Sequence, residues 1–536
     1  MGKEHLNQAI CSHNIEMKAD EQPDREILTF IGGVEDEHLT YKTIHENSNK
    51  VARLFLDSGI EKGDKYIVLM HNYPEFVYSL LAGPTVGAMM IPIDPRSKGK
   101  RLEYYFRNSG AKGVIVSDVC LPQIEEVLPN LPKLNLVSVV SRPESKIPPT
   151  TKYHNFNEVI KKDTWQRVDQ QIFDVRQPMQ IIYTSGTTGD PKGVMIRNSR
   201  TGVFNIMTRL IWKYNREEDI LYTGLSLTHG NAQAVTLFPA MYLGVKAVFT
   251  HRFTKSRIWD ICRKYGCTSF SLLGGMLAGI YMEPEKPDDS DNPVRLVISA
   301  GTPLVLWEAF EKRFGAKILE WYGAVEGGFA CNPVGKGPIG SFGKTVPGVM
   351  EMKVVDENDK EAAPGEKGEL ICRNIKGETK VDYWGLPEES EAKTRGGWLR
   401  TGDIVHKDKD GWLFFDHRKG SELRRAGDFI QPEHVEKIIG EHPDVSDICV
   451  YGVPAASGAP GESDLVAAVA PFGGKKIDPA SIFTKCKKDL AANFIPSFLQ
   501  VVNEIPKTVS EKNLDRKLRE DFQKGEGEIY KFDDFK

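Results

Sequence analysis

The sequence has few cysteines, no long apolar run and almost no net charge. Its 536 residues include 8 cysteines, which are scattered without a CxxC pair or a nearby histidine cluster. A zinc site or a disulfide framework is therefore not expected, and we predict buried, reduced thiols in a cytosolic protein. The formal net charge is −4 at pH 7, so composition gives no support for nucleic acid or an anionic membrane as the partner.

Signals for targeting and membrane insertion are also missing. Residues 1–24 contain no apolar core followed by small residues, so a signal peptide is not expected. Gly2 could suggest N-myristoylation, but position six is Leu6 rather than Ser or Thr. The most apolar window, 80–93, is interrupted by glycines and prolines and is too short to cross a bilayer. We therefore expect a soluble protein without stable membrane insertion.

The chain does have length and a regular alternation of apolar patterns. At 536 residues, with 40% hydrophobic and 27% charged residues, it is typical of a globular protein with two or more domains. Over about the first 330 residues, short β-rich runs alternate with helical segments such as 40–56 and 307–314, which predicts α/β layers with mainly parallel sheets. The predicted buried strands are 66–70, 113–117, 180–183, 246–250, 269–273, 296–299 and 317–321.

Two changes of sequence pattern predict further units. From about Asn332 glycines become dense and short alternating runs follow at 352–355 and 369–372, which is typical of a small β-rich subdomain over 332–419. After Arg418 a helix at 432–440, strands at 447–453 and 465–471, and a helix at 479–493 predict a small α+β module. We therefore divide the chain into an N-terminal domain, 1–419, and a C-terminal domain, 420–536.

A loop rich in glycine and hydroxyl side chains follows the predicted strand 180–183. It reads TSGTTGDPKG from residue 184 to residue 193. Backbone NH groups and hydroxyls can converge there on anionic oxygens, and Lys192 adds a positive charge, so the composition favours a polyphosphate-binding loop. The loop is neither a Walker A loop nor a GxGxxG loop. From composition alone, a polar surface turn remains the alternative.

The full string TSGTTGDPKG resembles the signature loop of the adenylate-forming superfamily, which includes acyl-CoA synthetases, luciferases and the adenylation domains of peptide synthetases. The resemblance extends from about Leu39 to Arg516. It implies a carboxylate–CoA ligase that uses ATP, Mg²⁺ and coenzyme A, with Thr184 and Lys192 among its catalytic residues. The phosphate-binding residues that it implies are Thr184, Ser185, Gly186, Thr187, Thr188, Gly189 and Lys192.

The same resemblance implies a nucleotide site. Glu326, at the end of EWYGAVE, would hold Mg²⁺ on the triphosphate, for which a carboxylate is a suitable hard oxygen donor. Tyr322 would stack on adenine, and Asp403 of the TGD motif would accept the ribose hydroxyls. Where the family has Thr before that glutamate this chain has Val325, which removes one hydrogen bond worth about 1–3 kcal/mol. The adenine- and ribose-binding residues that it implies are Gly301, Thr302, Pro303, Glu320, Trp321, Tyr322, Asp403 and Arg418.

The C-terminal part resembles the family's hinge and crossover segments. Gly420 stands at the hinge, where the family usually has Asp or Lys, and glycine tolerates the backbone change that a hinge needs. The string RRAG that follows implies CoA-binding residues Arg424, Arg425 and Gly427. A charged turn is the alternative for the same string.

Close to the end, PKTVSEKN resembles the family's PKTxSGK loop. The resemblance implies that Lys512 reaches the acyl carboxylate and the α-phosphate during adenylation, where its charge would draw the two anions together. Glu511 stands where the family has glycine. The reach of Lys512 is therefore the part of the implied mechanism that departs most from the family.

The acyl pocket is the least specified region. The resemblance makes His229 a gate residue and implies that Gly274, Gly323, Ala324, Val325 and Gly328 form pocket walls. No charged residue is clearly placed to read a second charge, so we expect an uncharged, compact alicyclic, aromatic or short-to-medium aliphatic acid.

Several alternatives stay open at this point. The crossover segment FFDHRKGSELRRAGDFI is most similar to the carnitine/crotonobetaine–CoA ligase branch, so a betaine is the main rival substrate. An acyl-AMP ligase that loads a carrier protein, or a luciferase-type oxygenase, would share the loop. Val325 and Glu511 also leave room for an inactive nucleotide- or acyl-CoA-binding protein. Homodimer formation is left open.

Overall fold

A computed structural model describes residues 6–184, 190–281, 283–376, 378–419, 423–425, 427–430, 432–456, 458–459, 461–471, 475–506 and 515–535. Within these ranges, the side chains of residues 203–206, 274–275, 278, 305, 417–418, 429, 433 and 516 are not described. The described chain forms two large, mainly parallel sheets, a four-stranded antiparallel sheet and a C-terminal α+β module. This architecture confirms the predicted fold class.

The first large sheet has seven strands. They are parallel except for the last strand, which is antiparallel to its neighbour. In spatial order the strands are His154–Asn155, Leu136–Val140, Gly113–Ser117, Lys65–Leu69, Met89–Ile93, Pro178–Thr184 and Lys192–Arg197. The predicted strand 180–183 is thus the centre of a longer strand that delivers the glycine-rich loop at its carboxyl end.

The second large sheet has nine strands. Its central strands are parallel, and antiparallel pairs stand at both edges. In spatial order the strands are Lys344–Thr345, Phe329–Asn332, Lys317–Gly323, Leu296–Ala300, Ser269–Leu273, Ile220–Thr223, Lys246–Thr250, Glu26–Ile31 and Glu37–Thr40. All seven predicted buried strands are confirmed in these two sheets, with ends shifted by at most two residues.

Helices cover the large sheets. The α-helices are Cys11–Glu21, Tyr41–Asp57, Pro74–Val86, Gly99–Ser109, Leu121–Val127, Phe156–Ile160, Ser199–Met207, Phe238–Leu243, Ile258–Tyr265, Gly274–Tyr281 and Trp307–Phe314, with π-helical turns at Thr208–Trp212 and Ala232–Leu237. Aromatic side chains such as Phe30, Tyr41, Tyr66 and Phe76 are fully buried between the layers. None of the helices in the described ranges has the length and apolarity needed to span a bilayer.

The antiparallel sheet is a meander of four strands, Met350–Val355, Lys367–Asn374, Leu399–Lys407 and Leu413–Arg418, with the helix Pro387–Lys393 inserted. The C-terminal module has the hairpin Arg424–Arg425 with Asp428–Phe429, and a sheet of Val445–Pro454, Ser463–Pro471, Phe498–Val501 and Glu528–Lys531. Its helices are Pro432–Gly440, Pro479–Asp489 and Asp515–Lys524. All eight cysteines are buried, reduced thiols, as expected.

Candidate active site

One cavity of about 1220 Å³ collects most of the residues that the motifs single out. The strands Pro178–Thr184, Leu296–Ala300 and Lys317–Gly323 contribute their carboxyl ends to it, the usual location of ligands in open parallel sheets. The predicted site residues in its wall are Thr184, Lys192, His229, Gly301, Thr302, Glu320, Trp321, Tyr322, Gly323, Ala324, Val325, Glu326, Gly328, Asp403, Arg424 and Gly427.

A few predicted site residues lie elsewhere or cannot be placed. Among the described residues, Pro303 and Arg425 are not part of the cavity wall, and Arg425 donates to the carbonyl oxygen of Ile495 inside the C-terminal module. Gly274 begins the helix Gly274–Tyr281, and Arg418 ends the strand Leu413–Arg418. Ser185, Gly186, Thr187, Thr188, Gly189, Gly420 and Lys512 lie outside the described residues. The roles of all these residues stay predictions.

Glu326 stands in a tight turn at the end of its strand. Ala324 and Gly327 exchange backbone hydrogen bonds of 3.2 Å and 3.1 Å. The Oε1 atom of Glu326 accepts hydrogen bonds from the hydroxyls of Tyr383, at 3.1 Å, and Thr184, at 3.4 Å. The Nζ atom of Lys192 lies 5.4 Å from the centre of the Tyr383 ring. A carboxylate, a hydroxyl and an ammonium group therefore share one end of the cavity, an arrangement that can hold a polyphosphate and its cation.

The oxygen ligands available at Glu326 can be compared with those that Mg²⁺ prefers. Within the described ranges, no group of three or more His, Cys, Asp or Glu side chains could hold a metal ion. Mg²⁺ commonly takes one or two protein carboxylates together with phosphate oxygens and water, rather than an all-protein cage. A single carboxylate beside a polyphosphate loop therefore fits Mg²⁺ that arrives with a nucleotide.

Two motifs meet at the other end of the nucleotide region. The hydroxyl of Tyr322 donates a hydrogen bond to Asp403 Oδ2 at 2.5 Å, and the Tyr322 ring lies 4.8 Å from that of Phe342. Asp403 is almost fully buried at 3% exposure, and its backbone NH donates to the Thr401 hydroxyl. An aromatic ring with an adjacent carboxylate suits a base and a vicinal diol.

Glu320 holds the loop that follows the strand Leu296–Ala300. Its carboxylate accepts hydrogen bonds from the Thr302 hydroxyl at 2.6 Å and from the backbone NH groups of Gly301 and Thr302. Burial raises the pKa of Glu320 to about 7, against these hydrogen bonds and the more distant charge of Arg424. Gly301 has φ +85°, a conformation that favours glycine. Glu320 thus shapes the predicted adenine loop, and its contact with a nucleotide stays a prediction.

Residues of the C-terminal hairpin also line the cavity. A Cβ atom on Gly427, which has φ +84°, would lie 2.7 Å from Cδ1 of Leu273. The next residue, Asp428, pairs with Arg96 at 3.2 Å and accepts from the amide of Asn493 at 2.5 Å. The Nε2 atom of His229 lies 4.0 Å from Asp428 Oδ1. The predicted gate and the predicted CoA segment are therefore neighbours.

Arg200 is a cavity residue that the sequence did not reveal. It stands in the helix Ser199–Met207, lines the cavity, and donates to the carbonyl oxygens of Ala324, at 2.8 Å, and Val325. Burial lowers the pKa of its guanidinium, and the Glu326 carboxylate opposes that effect. Arg200 and these carbonyls are 124 and 125 residues apart, so no local pattern could have connected them.

Comparison with known proteins identifies the family. The profile of AMP-binding enzymes matches residues 15–377, and that of the AMP-binding enzyme C-terminal domain matches residues 434–512. This chain belongs to the AMP-binding enzyme family. The resemblance to adenylate-forming enzymes is thereby confirmed, as is the expected enzyme class of AMP-forming acid–thiol ligases.

Curated relatives of this AMP-binding enzyme include two crotonobetaine/carnitine–CoA ligases. The ligase of Salmonella typhimurium strain LT2 is 26% identical over 491 residues, covering 90% of this chain and 93% of the relative. That of Salmonella typhi is 27% identical over 492 residues, with the same coverage of both chains. These similarities cover most of both chains.

Solved structures share the fold of this AMP-binding enzyme. The o-succinylbenzoate CoA synthetase MenE of Bacillus subtilis, a double mutant bound with a product analogue, has a TM-score of 0.80 at 21% identity, covering 97% of this chain and 99% of that one. The anthranilate CoA ligase AuaEII, in complex with anthranoyl-AMP, has a TM-score of 0.71 at 24% identity. The match covers 98% of this chain and 99% of AuaEII. The amide bond synthetase McbA of Marinactinospora thermotolerans has a TM-score of 0.81 at 20% identity. The match covers 96% of this chain and 99% of McbA.

Proposed function

We propose that this AMP-binding enzyme is an ATP-dependent carboxylate–CoA ligase. It forms acyl-AMP and pyrophosphate from a carboxylic acid and ATP, and then acyl-CoA and AMP. The observation that carries the proposal is the single cavity bounded by Thr184, Lys192 and Glu326 on one side and by Gly427 of the C-terminal hairpin on another. Both half-reactions need the same acyl carbon, so one cavity must serve the nucleotide and the thiol.

The first half-reaction joins the acid to the α-phosphorus of ATP. A carboxylate oxygen attacks that phosphorus, the bond to the bridging oxygen breaks, and pyrophosphate leaves with the electron pair. Thr184, Lys192 and the glycine-rich loop would hold the phosphates, and Lys512 would approach the carboxylate. Mg²⁺ bound at Glu326 would neutralise part of the triphosphate charge. Catalysis would come mainly from positioning and charge stabilisation.

The second half-reaction transfers the acyl group to coenzyme A. The CoA thiolate attacks the acyl carbon, the bond to the phosphate oxygen breaks, and AMP leaves. The packing of Gly427 against Leu273 supports this step, because a residue without a side chain leaves room beside the cavity. Arg424 also lines the cavity, and we assign Arg424 and Gly427 to CoA binding. Arg425 is assigned with them on the resemblance alone, since it lies outside the cavity wall. A rotation about Gly420 would exchange Lys512 for this hairpin.

The acid is proposed to be compact and alicyclic, aromatic or short-to-medium aliphatic. Apolar side chains in the cavity wall support this, among them Met207, Ala234, Phe238, Trp321 and Phe329. A betaine is the second candidate, favoured by the crotonobetaine/carnitine–CoA ligases that match 90% of the chain. We also propose that the enzyme is cytosolic, supported by eight cysteines that are all reduced thiols.

The test is a panel of acids incubated with the purified enzyme, MgATP and CoA. It contains benzoate, anthranilate, cyclohexanecarboxylate, butyrate, crotonobetaine and carnitine, with pyrophosphate release and mass spectrometry as readouts. We expect acid-dependent pyrophosphate and a new acyl-CoA. Acyl-AMP without acyl-CoA would favour a ligase that loads a carrier protein, and no pyrophosphate with any acid would favour an inactive binding protein. Light scattering of the same sample tests for a homodimer.

A further inference from the structure

The cavity wall contains a cation, Arg200, that lies within the electrostatic influence of the Glu326 carboxylate but forms no ion pair with it. Arg200 lines the cavity and is only partly exposed. Among the residues that the structure describes, no carboxylate forms an ion pair with it; its hydrogen bonds go to the carbonyl oxygens of Ala324 and Val325. Guanidinium groups withdrawn from water are normally paired with anions, because their desolvation is costly.

Four of the five other arginines in this wall form ion pairs, among them Arg400 with Asp359 and Arg424 with Glu462. Arg197 pairs with Asp382, and Arg96 pairs with both Asp94 and Asp428. Each of these guanidinium groups therefore has its charge offset within the protein. Arg101 has no ion pair among the described residues either, but it contacts the Tyr105 hydroxyl and the Phe494 ring. Arg200 is the wall arginine that has no such ion pair and contacts the Ala324–Val325 turn.

Arg200 also has N–H groups left that can donate hydrogen bonds to a ligand. A guanidinium has five N–H groups, and the two carbonyl oxygens use one group on each terminal nitrogen. Its planar fork suits the two oxygens of a carboxylate better than a single neutral acceptor. Its contacts with Ala324 and Val325 place it beside two residues that the resemblance assigns to the acyl pocket wall, next to the turn that carries Glu326.

We propose that Arg200 recognises a second carboxylate on the acid, so that the substrate is a dicarboxylic acid of which one carboxylate is adenylated. The inference rests on the proposed function and narrows its substrate class. It replaces the sequence-based expectation of an uncharged acyl group, because the Arg200 guanidinium lines the cavity. A quaternary ammonium group would be repelled at the same position, so betaines should be poor substrates.

Arg200 could instead serve only to hold the turn at Ala324 and Val325, and the experiment separates the two roles. Calorimetry measures the dissociation constants of matched acids with the full-length enzyme and AMP, without turnover. The pairs are benzoate with its 1,2-, 1,3- and 1,4-dicarboxylate analogues, and butyrate with glutarate. The quantity compared is the dissociation constant of the monoacid divided by that of the diacid. A substitution that only distorts the cavity weakens the binding of both acids and leaves this ratio unchanged.

For the wild type, at least one diacid should bind about tenfold to 150-fold tighter than its monoacid, the range expected for hydrogen bonds to a charged group. Arg200→Met should abolish that preference, whereas Arg197→Met, which removes an already paired arginine, should keep it. If Arg200→Met does not fold, Arg200→Lys is measured instead. It should reduce the ratio of monoacid to diacid dissociation constants at least threefold. No diacid preference in the wild type, or a preference that survives the Arg200 substitution, overturns the proposal. Absence of pyrophosphate release would refute the ligase function separately.

Discussion

The hydroxyl of Tyr322 donates a hydrogen bond of 2.5 Å to Asp403, which connects two motifs that are 81 residues apart in the chain. Tyr322 belongs to the strand Lys317–Gly323 of the nine-stranded sheet, whereas Asp403 belongs to the antiparallel meander. The contact therefore fixes the meander against the large sheet at the predicted ribose site. Because Asp403 is buried and already accepts one proton donor, its position is set before any nucleotide binds.

Replacing Asp403 tests this predicted ribose contact. Asp403→Asn removes the charge that would accept the ribose hydroxyls, and we expect the KM for ATP to rise about 10- to 150-fold. Steady-state kinetics with varied ATP give the value. Asp408→Asn is the matched control, since Asp408 accepts only backbone NH groups in the turn to the next strand. Equal effects of the two substitutions would contradict the assignment.

Glu320 predicts a pH dependence of stability. Its pKa is raised by burial from 4.5 to about 7, so between these pH values the folded protein retains a proton that the unfolded chain has lost. The contribution of the protonated Glu320 to the free energy of unfolding is therefore fully present below about pH 4.5. This contribution, up to about 3 kcal/mol, is lost as the pH rises through 7. The difference in unfolding free energy between the wild type and Glu320→Gln from pH 5 to pH 8 should show this decline. Histidines such as His251, whose pKa burial lowers to about 4, add an opposite trend that is common to both proteins.

The variant Glu320→Gln should show a weaker decline over the same pH range, because glutamine does not titrate. Burial also raises the pKa of Glu75 to about 7, so part of the decline should remain. Glu75→Gln should remove that separate part. A Glu320→Gln variant with the slope of the wild type would show that Glu320 is ionised in the folded protein at pH 5.

Gly427 should separate the two half-reactions. In Gly427→Ala the new methyl group would lie 2.7 Å from Leu273 Cδ1, and the residue would also have to keep φ +84°. We expect acyl-CoA formation to fall about 10- to 100-fold, as for a loss of 1.4–2.8 kcal/mol in transition-state binding. Acyl-AMP formation, measured as acid-dependent pyrophosphate exchange, should change less than about threefold, within 0.7 kcal/mol.

Gly458→Ala is the matched control for Gly427→Ala. Gly458 also has a positive φ, +67°, and stands in the C-terminal module, but a Cβ atom there would meet nothing within 4 Å. Both half-reactions should stay close to wild type. If Gly427→Ala impaired pyrophosphate exchange as strongly as thioester formation, the proposed role of the hairpin in CoA binding would be wrong.

Replacing Lys512 should impair acyl-AMP formation and spare acyl-CoA formation, the opposite of the result expected for Gly427→Ala. Lys512→Ala removes the charge that we assign to the meeting of carboxylate and α-phosphate, so pyrophosphate exchange should fall about 100-fold or more, the usual scale for loss of one charge-stabilising group. Acyl-CoA formation from presynthesised acyl-AMP should be retained. Lys517→Ala, in the helix Asp515–Lys524, is the control. Intact exchange in Lys512→Ala would show that another cation serves this step.

The sequence predicted the buried parallel strands well, because such strands are continuous apolar runs. Gly113–Ser117, Lys246–Thr250 and Ser269–Leu273 have the predicted bounds. The helix Cys11–Glu21 was not predicted, since its buried face carries polar residues including His13 and Asn14. The predicted helix 479–493 ends at Asp489, because Leu490 adopts an extended conformation and is buried.

The candidate site was predictable where a motif is local and not where it depends on packing. The strings around Thr184, Glu326 and Asp403 each place their residues in one cavity. Arg200 follows the glycine-rich loop without belonging to a recognised motif, and only the helix that carries it brings it to Val325. The sequence therefore predicted the nucleotide chemistry but missed the residue that bears on the choice of acid.

The central claim is that one cavity forms an acyl-adenylate and then passes the acyl group to coenzyme A. The most direct test is a single-turnover experiment with an acid from the panel that supports pyrophosphate release. The enzyme is loaded with MgATP and that acid, and CoA is added afterwards. We predict that enzyme-bound acyl-AMP accumulates first and that CoA converts it into equal amounts of acyl-CoA and AMP. Acyl-CoA formed without a preceding acyl-AMP, or acyl-AMP that CoA does not discharge, would contradict the account.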